Sequence, residues 1–231
     1  MNLTAIERGE YDLANPMRIR AKHFYVGAML SGLAAAQVPL EQEPRHHVEF
    51  ANEWLRVVSP QIPGGDTTLE HLHTHDDATV CIHGSEMRAK QPGAEWSNAG
   101  KACVPGQAGL TEYTGKPRSH TVQNTGSGVY HLALVENLRE SGWKNNEPLT
   151  VAGLKMTREN RSFRIYETEL SGSSSELHSH EVPTVVIVVS GEAMAGDKRL
   201  DQPGRWAYIP AGEKHQVVAQ GNARVIEVEV R

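Results

Sequence analysis

The stretch Leu69-Glu-His-Leu-His-Thr-His-Asp-Asp77 places His71, His73 and His75 at every second position. On an extended chain alternate side chains share a face, so the three imidazoles point the same way. A buried imidazole stripped of water needs a replacement partner. A strand that carries three of them therefore predicts a binding partner, supplied with help from elsewhere in the chain.

The surroundings are those of a β protein. The chain has 231 residues, 39% hydrophobic and 22% charged, with 21 Gly, 12 Pro and 3 Phe. That length allows one large domain or two of ~100 residues. Short runs rich in Val and Ile are bounded by Gly or Pro: VEFAN, WLRVVSPQI, ATVCI and YHLALVENL, then FRIYETEL, TVVIVVSG, RWAYIP, HQVVAQ and ARVIEVEV. Such runs predict strands and turns. A polar stretch, RESGWKNNEP (139–148), separates the two sets and predicts domains over 37–145 and 146–231. The formal net charge of −5 argues against nucleic acid or an anionic membrane as partner. Phosphate-binding and dinucleotide-type Gly loops, C-x-x-C zinc pairs and Ser nucleophile elbows are absent.

The N-terminal 36 residues read as an extension and an export signal, with Met17 as the predicted start. Arg18, Arg20 and Lys22 precede a short apolar run, Phe24 to Leu33, and Ala34 and Ala36 supply a small-residue cleavage pattern. The run is too short for a permanent bilayer span. Residues 1–36 hold four basic and three acidic side chains, so removal shifts the net charge from −5 to −6. A periplasmic or secreted mature chain follows; a short buried N-terminal element in a cytoplasmic protein is the alternative. Cys81 and Cys103 are the two cysteines. Export would permit a disulfide, and two buried thiols serve equally well as small hydrophobes.

The two strand sets look like copies. Residues 65–84 align without a gap on 172–191, so Gly65, His71, His73 and Gly84 fall on Gly172, His178, His180 and Gly191. Residues 52–58 resemble 160–166. Residues 109–122 align on 204–217, placing Gly109, Tyr113 and His120 on Gly204, Tyr208 and His215. An internal duplication accounts for this. Each copy offers a His-x-His pair and a later His that a hairpin can return to the same place. Three neutral imidazoles suit a divalent transition metal: Fe(II), Mn, Ni, Cu or Zn.

These motifs resemble those of the cupins, G-x5-H-x-H-x3,4-E-x6-G followed by G-x5-P-x-G-x2-H-x3-N. The second copy runs Gly172, His178, His180, Thr184, Gly191, then Gly204, Pro210, Gly212, His215, Ala219. The first runs Gly65, His71, His73, Asp77, Gly84, then Gly109, Gly115, Pro117, His120, Asn124. Thr184 and Asp77 stand where the family has its ligand Glu. The resemblance covers most of residues 45–231 and implies an all-β protein of two tandem jelly-roll barrels, a bicupin. It implies metal ligation by His71, His73 and His120, and by His178, His180 and His215.

Two registers remain open at the first site. Glycine spacing makes His71 and His73 the pair and His75 extra. The local likeness of LHTHDDATV (72–80) to LHSHEVPTV (177–185) makes His73 and His75 the pair. His75, Asp76 and Asp77 all add candidate ligands. Asp77 is shorter than Glu, and Thr184 is a poor ligand at neutral pH. Both sites therefore read as three-histidine sites with open positions, similar to those of thiol and diketone dioxygenases.

The expected function is metal-dependent chemistry on a small chelating molecule, dioxygenase-like or hydrolytic. The alternatives are a ligand-binding or sensing protein without turnover, a sugar or oxo-acid isomerase, and a metal-storing or metal-free structural protein. A homodimer is compatible with the resemblance. Tyr113 and Tyr208 are candidates for a proton-donating hydroxyl, and Arg88 and Arg118 for a carboxylate contact. His83 and His131 read as structural, and His46 and His47 as solvated.

Overall fold

The computed structural model describes residues 37–139 and 146–231. The predicted export signal and most of the predicted linker lie outside the described residues. The N-terminal half runs through β1 (Val38–Pro39), a single 3-10 turn (Leu40–Gln42), β2 (His46–Ala51), β3 (Leu55–Ile62), β4 (His71–His73), β5 (Asp77–His83), β6 (Glu86–Lys90), β7 (Gly100–Lys101), β8 (Ala108–Thr111), β9 (Arg118–Asn124) and β10 (Tyr130–Asn137). The C-terminal half runs through β11 (Lys155–Glu159), β12 (Phe163–Ser171), β13 (Thr184–Ser190), β14 (Ala193–Ala195), β15 (Lys198–Leu200), β16 (Trp206–Ile209), β17 (Val217–Val218) and β18 (Asn222–Val230). The fold is all-β. Among the described residues no helix is long and apolar enough to cross a membrane.

Each half contains two sheets. The N-terminal sheets have strand orders β2-β3-β10-β5-β8 and β1-β4-β9-β6-β7. The C-terminal sheets have orders β11-β12-β18-β13-β16 and β15-β14-β17. Pairing is antiparallel except between β1 and β4.

Strand register relates the two halves position by position. Arg56 pairs with Glu136 on β10, and Arg164 pairs with Glu229 on β18. Asp77 pairs with Glu136, and Thr184 with Glu229. Asn52 and Asn160 open the copies identically: each side-chain oxygen accepts the amides two and three residues on. Two matched pairs do not follow this register: Gly109, opposite Thr79, corresponds to Ala207, opposite Val186, and not to Gly204. Leu110 lies opposite Ala78 and Tyr208 opposite Val185, so Leu110 and Tyr208 are equivalent, and Tyr113 and Tyr208 are not. The N-terminal copy carries three more residues between this strand and its returning histidine (Thr111 to His120, against Ile209 to His215).

The largest core lies between the halves. Leu55, Val57, Val80 and Val135 of one half form a single buried cluster with Phe163, Ile165, Ile187 and Ile226 of the other. β13 is covered on both sides, Val185, Ile187 and Val189 by this cluster and Val186 and Val188 by the next, which explains why TVVIVVS (184–190) reads as a continuous hydrophobic run. A second cluster, including Val186, Val188, Val217 and Val225, fills the C-terminal half. Inside the N-terminal half, Leu40, Val58 and Leu134 form a small cluster.

Two local features fix the frame. Cys81 and Cys103 form a disulfide, tying β5 to the loop before β8. Gly84 and Gly191 end β5 and β13 where a Cβ would overlap the carbonyl oxygens of Cys103 and Asn222 respectively. Only glycine allows that approach.

Candidate metal centres

In the N-terminal half, His71 and His73 sit on β4 and His120 on the adjacent β9, with His71 directly paired to His120. Their tips converge. The Nε2 atom of His120 lies 2.9 Å from that of His71 and 3.3 Å from that of His73. Three nitrogens held about 2.0–2.1 Å from one ion stand about 2.9–3.3 Å apart, so these separations suit common ligation. His71 Nδ1 lies 3.0 Å from the Leu69 carbonyl, which can only accept. The proton therefore belongs on Nδ1, and the Nε2 lone pair faces the other rings. Burial, and then backing from the other rings, pushes His120 down to about 3. Burial also pushes His71 down to about 4. Both are neutral near pH 7, as metal ligands must be.

The neighbours divide into three. Asp77 is buried, with a carboxylate oxygen 3.3 Å from His73 Nδ1, on the side of the ring away from the other histidines. It is placed to orient His73 rather than to join the Nε2 group. His75 turns aside, its Nδ1 3.9 Å from Glu136 and 3.1 Å from Thr74 Oγ1. Asp76 faces the other half, accepting from the amides of Tyr113 and Thr114, from Ser162 Oγ at 2.5 Å and from Arg161. Burial opposes its charge, but these donors hold its carboxyl below the usual range. The structure thus brings His71 and His73, and not His75, together with His120, and Asp76 serves the contact between halves. His46, expected to be solvated, is buried edge-on against His71 with ring centres 4.6 Å apart.

The C-terminal half repeats the geometry and adds a carboxylate. His178 and His215 form an isolated bridge, exchanging both backbone hydrogen bonds at 3.0 and 2.9 Å. His178 Nδ1 lies 2.8 Å from the Glu176 carbonyl, as His71 does from Leu69. One oxygen of Glu227 lies 3.2, 2.8 and 3.3 Å from the Nε2 atoms of His178, His180 and His215. Glu229 holds Nδ1 of His180 at 2.8 Å, and is itself paired with Arg164. Thr184 is buried and donates to the Val182 carbonyl, so it stands outside this group.

Both nitrogens of His180 thus face carboxylates. Burial opposes its charge, yet Glu227 and Glu229 raise it to about 9. Glu227 is held well below the carboxylate range by the same histidines, against its burial. Its second oxygen is buried with no hydrogen-bond partner among the described residues. A buried carboxylate ringed by three imidazoles, with that oxygen unsatisfied, matches the donor set for a divalent cation replacing the ring protons.

Sequence reasoning missed Glu227 and Glu229. Their signal was present in VIEVEV (225–230): two charges at alternate positions of an otherwise apolar strand share one face.

The two sites differ in access. His178, His180, His215 and Glu227 are all buried. His120 instead lines a cavity of about 410 Å³ with Tyr113, Arg118, Lys90 and Glu95. Tyr113 stacks on His73 at 4.7 Å. Burial, reinforced by Asp77, pushes its phenol up to about 12, so it keeps its proton. Tyr208 packs against Phe50 at the contact between halves. His83 is exposed, and His131 bonds Ser59 at 2.9 Å, so both lie apart from the site.

Comparisons with known structures agree with this architecture. The fold is similar to a cupin 2 conserved barrel domain protein from Leptotrichia buccalis, at 10% identity, covering 80% of this chain and 88% of that one, with a TM-score of 0.52. It is similar to the bacterial pirin YhhW from Escherichia coli, solved with nickel(II), at 15% identity, 80% and 90% coverage and a TM-score of 0.56. A salicylate 1,2-dioxygenase from Pseudaminobacter salicylatoxidans aligns at 12% identity, 80% and 76% coverage and a TM-score of 0.57. No protein-family model and no curated protein matches the sequence. The likeness establishes a fold of the cupin jelly-roll type; at these identities it carries no activity with it.

Proposed function

We propose that the chain is an exported, metal-binding bicupin, with one barrel in residues 37–145 and another in 146–231. In this reading the N-terminal site acts on a small metal-chelating molecule, by dioxygenase-like or other metal-dependent chemistry. The observation that carries it is the convergence of His71, His73 and His120 on one point beside a cavity. A transition metal bound there would supply a Lewis acid or an O2-binding centre. His71, His73 and His120 would hold it, Asp77 would orient His73, and Tyr113 would present a protonated hydroxyl to the bound molecule. The C-terminal set of His178, His180, His215 and Glu227 fills more coordination positions from the protein and is buried. It fits a metal that stabilises its half. Two structural relatives, a nickel-bound pirin and a dioxygenase, support metal binding and oxygen chemistry. The disulfide supports an oxidising compartment.

The test is metal content per chain for residues 37–231, repeated for His120→Ala and His215→Ala. Two equivalents, with one lost in each variant, are expected. Absence of transition metal under metal-replete, reducing conditions rejects the reading. Ligand retention without O2 consumption would select the binding protein, and turnover without O2 the isomerase.

A further inference from the structure

We infer that the N-terminal site takes a small organic anion, a metal-chelating molecule whose carboxylate is recognised by Arg118 and Lys90. This rests on reading His71, His73 and His120 as a metal centre, and adds the class of molecule that reaches it. Arg118 is paired in register with His73 and lies two residues before His120 on β9, so it shares the face of His120. Lys90, on the neighbouring β6, pairs with Thr121, one position off the face of His120, and is among the residues that line the same cavity.

Their charges are uncommitted. Arg56, Arg161 and Arg164 all meet carboxylates: Glu136, Asp76 and Glu229 respectively. Among the described residues neither Arg118 nor Lys90 forms an ion pair. Lys90 Nζ instead rests 5.0 Å from the centre of the Trp96 ring, which positions the ammonium without neutralising it. Arg88, on the same ring, is turned to Gln123 at 2.7 Å. Besides Glu95, the cavity is lined by Arg118 and Lys90, and a bound divalent ion would add its charge.

The duplication supplies an internal control. Position by position, His120 matches His215 and Val122 matches Val217, which places Glu213 at the position of Arg118. Ala89 pairs with Val122 and Ala195 with Val217, which places Gly196 at the position of Lys90. The half with the buried, carboxylate-filled site lacks both cations, and the half whose site meets a cavity has both. A guanidinium and an ammonium suit a carboxylate, the first by paired hydrogen bonds and the second as a point charge.

The test titrates the full chain, loaded with cobalt(II), by calorimetry with three matched pairs: pyruvate and pyruvamide, lactate and lactamide, salicylate and salicylamide. At least one carboxylate is expected to bind about tenfold or more tighter than its amide, and Arg118→Gln or Lys90→Gln to cut that preference about tenfold with cobalt content unchanged. Amides equal to their acids in all three pairs, or a preference intact in the double variant, overturn the inference while leaving the metal centre standing. A chain that holds no cobalt lost on His120→Ala overturns the metal reading, and the inference with it.

Discussion

Leu134 stands in the N-terminal half where Glu227 stands in the C-terminal half. Leu134 pairs with Val58 and Thr79; Glu227 pairs with Tyr166 and Val186, the equivalents of those residues in the second copy. One site is therefore walled by a methyl-bearing side chain and the other by a carboxylate. Glu227→Gln should lower metal affinity at the C-terminal site by at least about tenfold, by removing its anionic ligand. The N-terminal site should be unchanged. Chelator competition, with each site isolated by His120→Ala or His215→Ala, measures both.

The two sites should also differ in proton release. His180 is raised to about 9, so at pH 7 it carries a proton that an incoming metal must displace. His71 and His120, lowered to about 4 and about 3, are already neutral there. Affinity at the C-terminal site should therefore climb as pH rises from 7 towards 9. Affinity at the N-terminal site should be flat over that range as far as these two rings are concerned. Calorimetry in two buffers of different ionisation enthalpy should find protons released on loading the second site and few on loading the first.

The disulfide closes a loop between positions 22 apart in sequence. Cross-linking a loop of that size restricts the unfolded chain by about 3 kcal/mol in the chain-entropy account. The Cys81→Ser, Cys103→Ser double variant should lose stability of that order in urea unfolding. Its metal stoichiometry should hold, because neither cysteine belongs to the converging groups.

Ile226→Ala tests the contact between halves. Ile226 is fully buried in the cluster built from both sets of strands. Truncation of such a residue costs about 2–5 kcal/mol. Because each half covers the other, unfolding should remain a single transition, seen alike by fluorescence and circular dichroism, with its midpoint lowered. Two separated transitions would show that the halves fold independently.

Much of this was legible in the sequence because the signals are local. Val- and Ile-rich runs between glycines declare strands, and the distances from Gly65 and Gly84 point to His71 and His73 while the local likeness to LHSHEVPTV leaves His73 and His75 open. What escaped depends on cross-strand register. Glu227 reaches its histidines from the last strand, a position that no motif spacing on β13 encodes. His46 lies in a polar lead, and only the fold brings it against His71. The match of Tyr113 to Tyr208 failed because loop length changed between the copies while the histidines at the loop ends kept their place. The core between the halves was not read from the sequence, because the alternate apolar positions of β3, β10, β12 and β18 do not name what covers them.

That core gives the pairing of the two halves a physical meaning. Either half alone would leave its face, with Leu55, Val57, Val80 and Val135 or with Phe163, Ile165, Ile187 and Ile226, open to water. Such a unit could hide the face only by finding a twin. Joining two units in one chain turns that encounter into an intramolecular one, at an effective concentration of the order of millimolar for a short tether. Each half can then differ at its own histidines without losing its partner, as it does between Leu134 and Glu227.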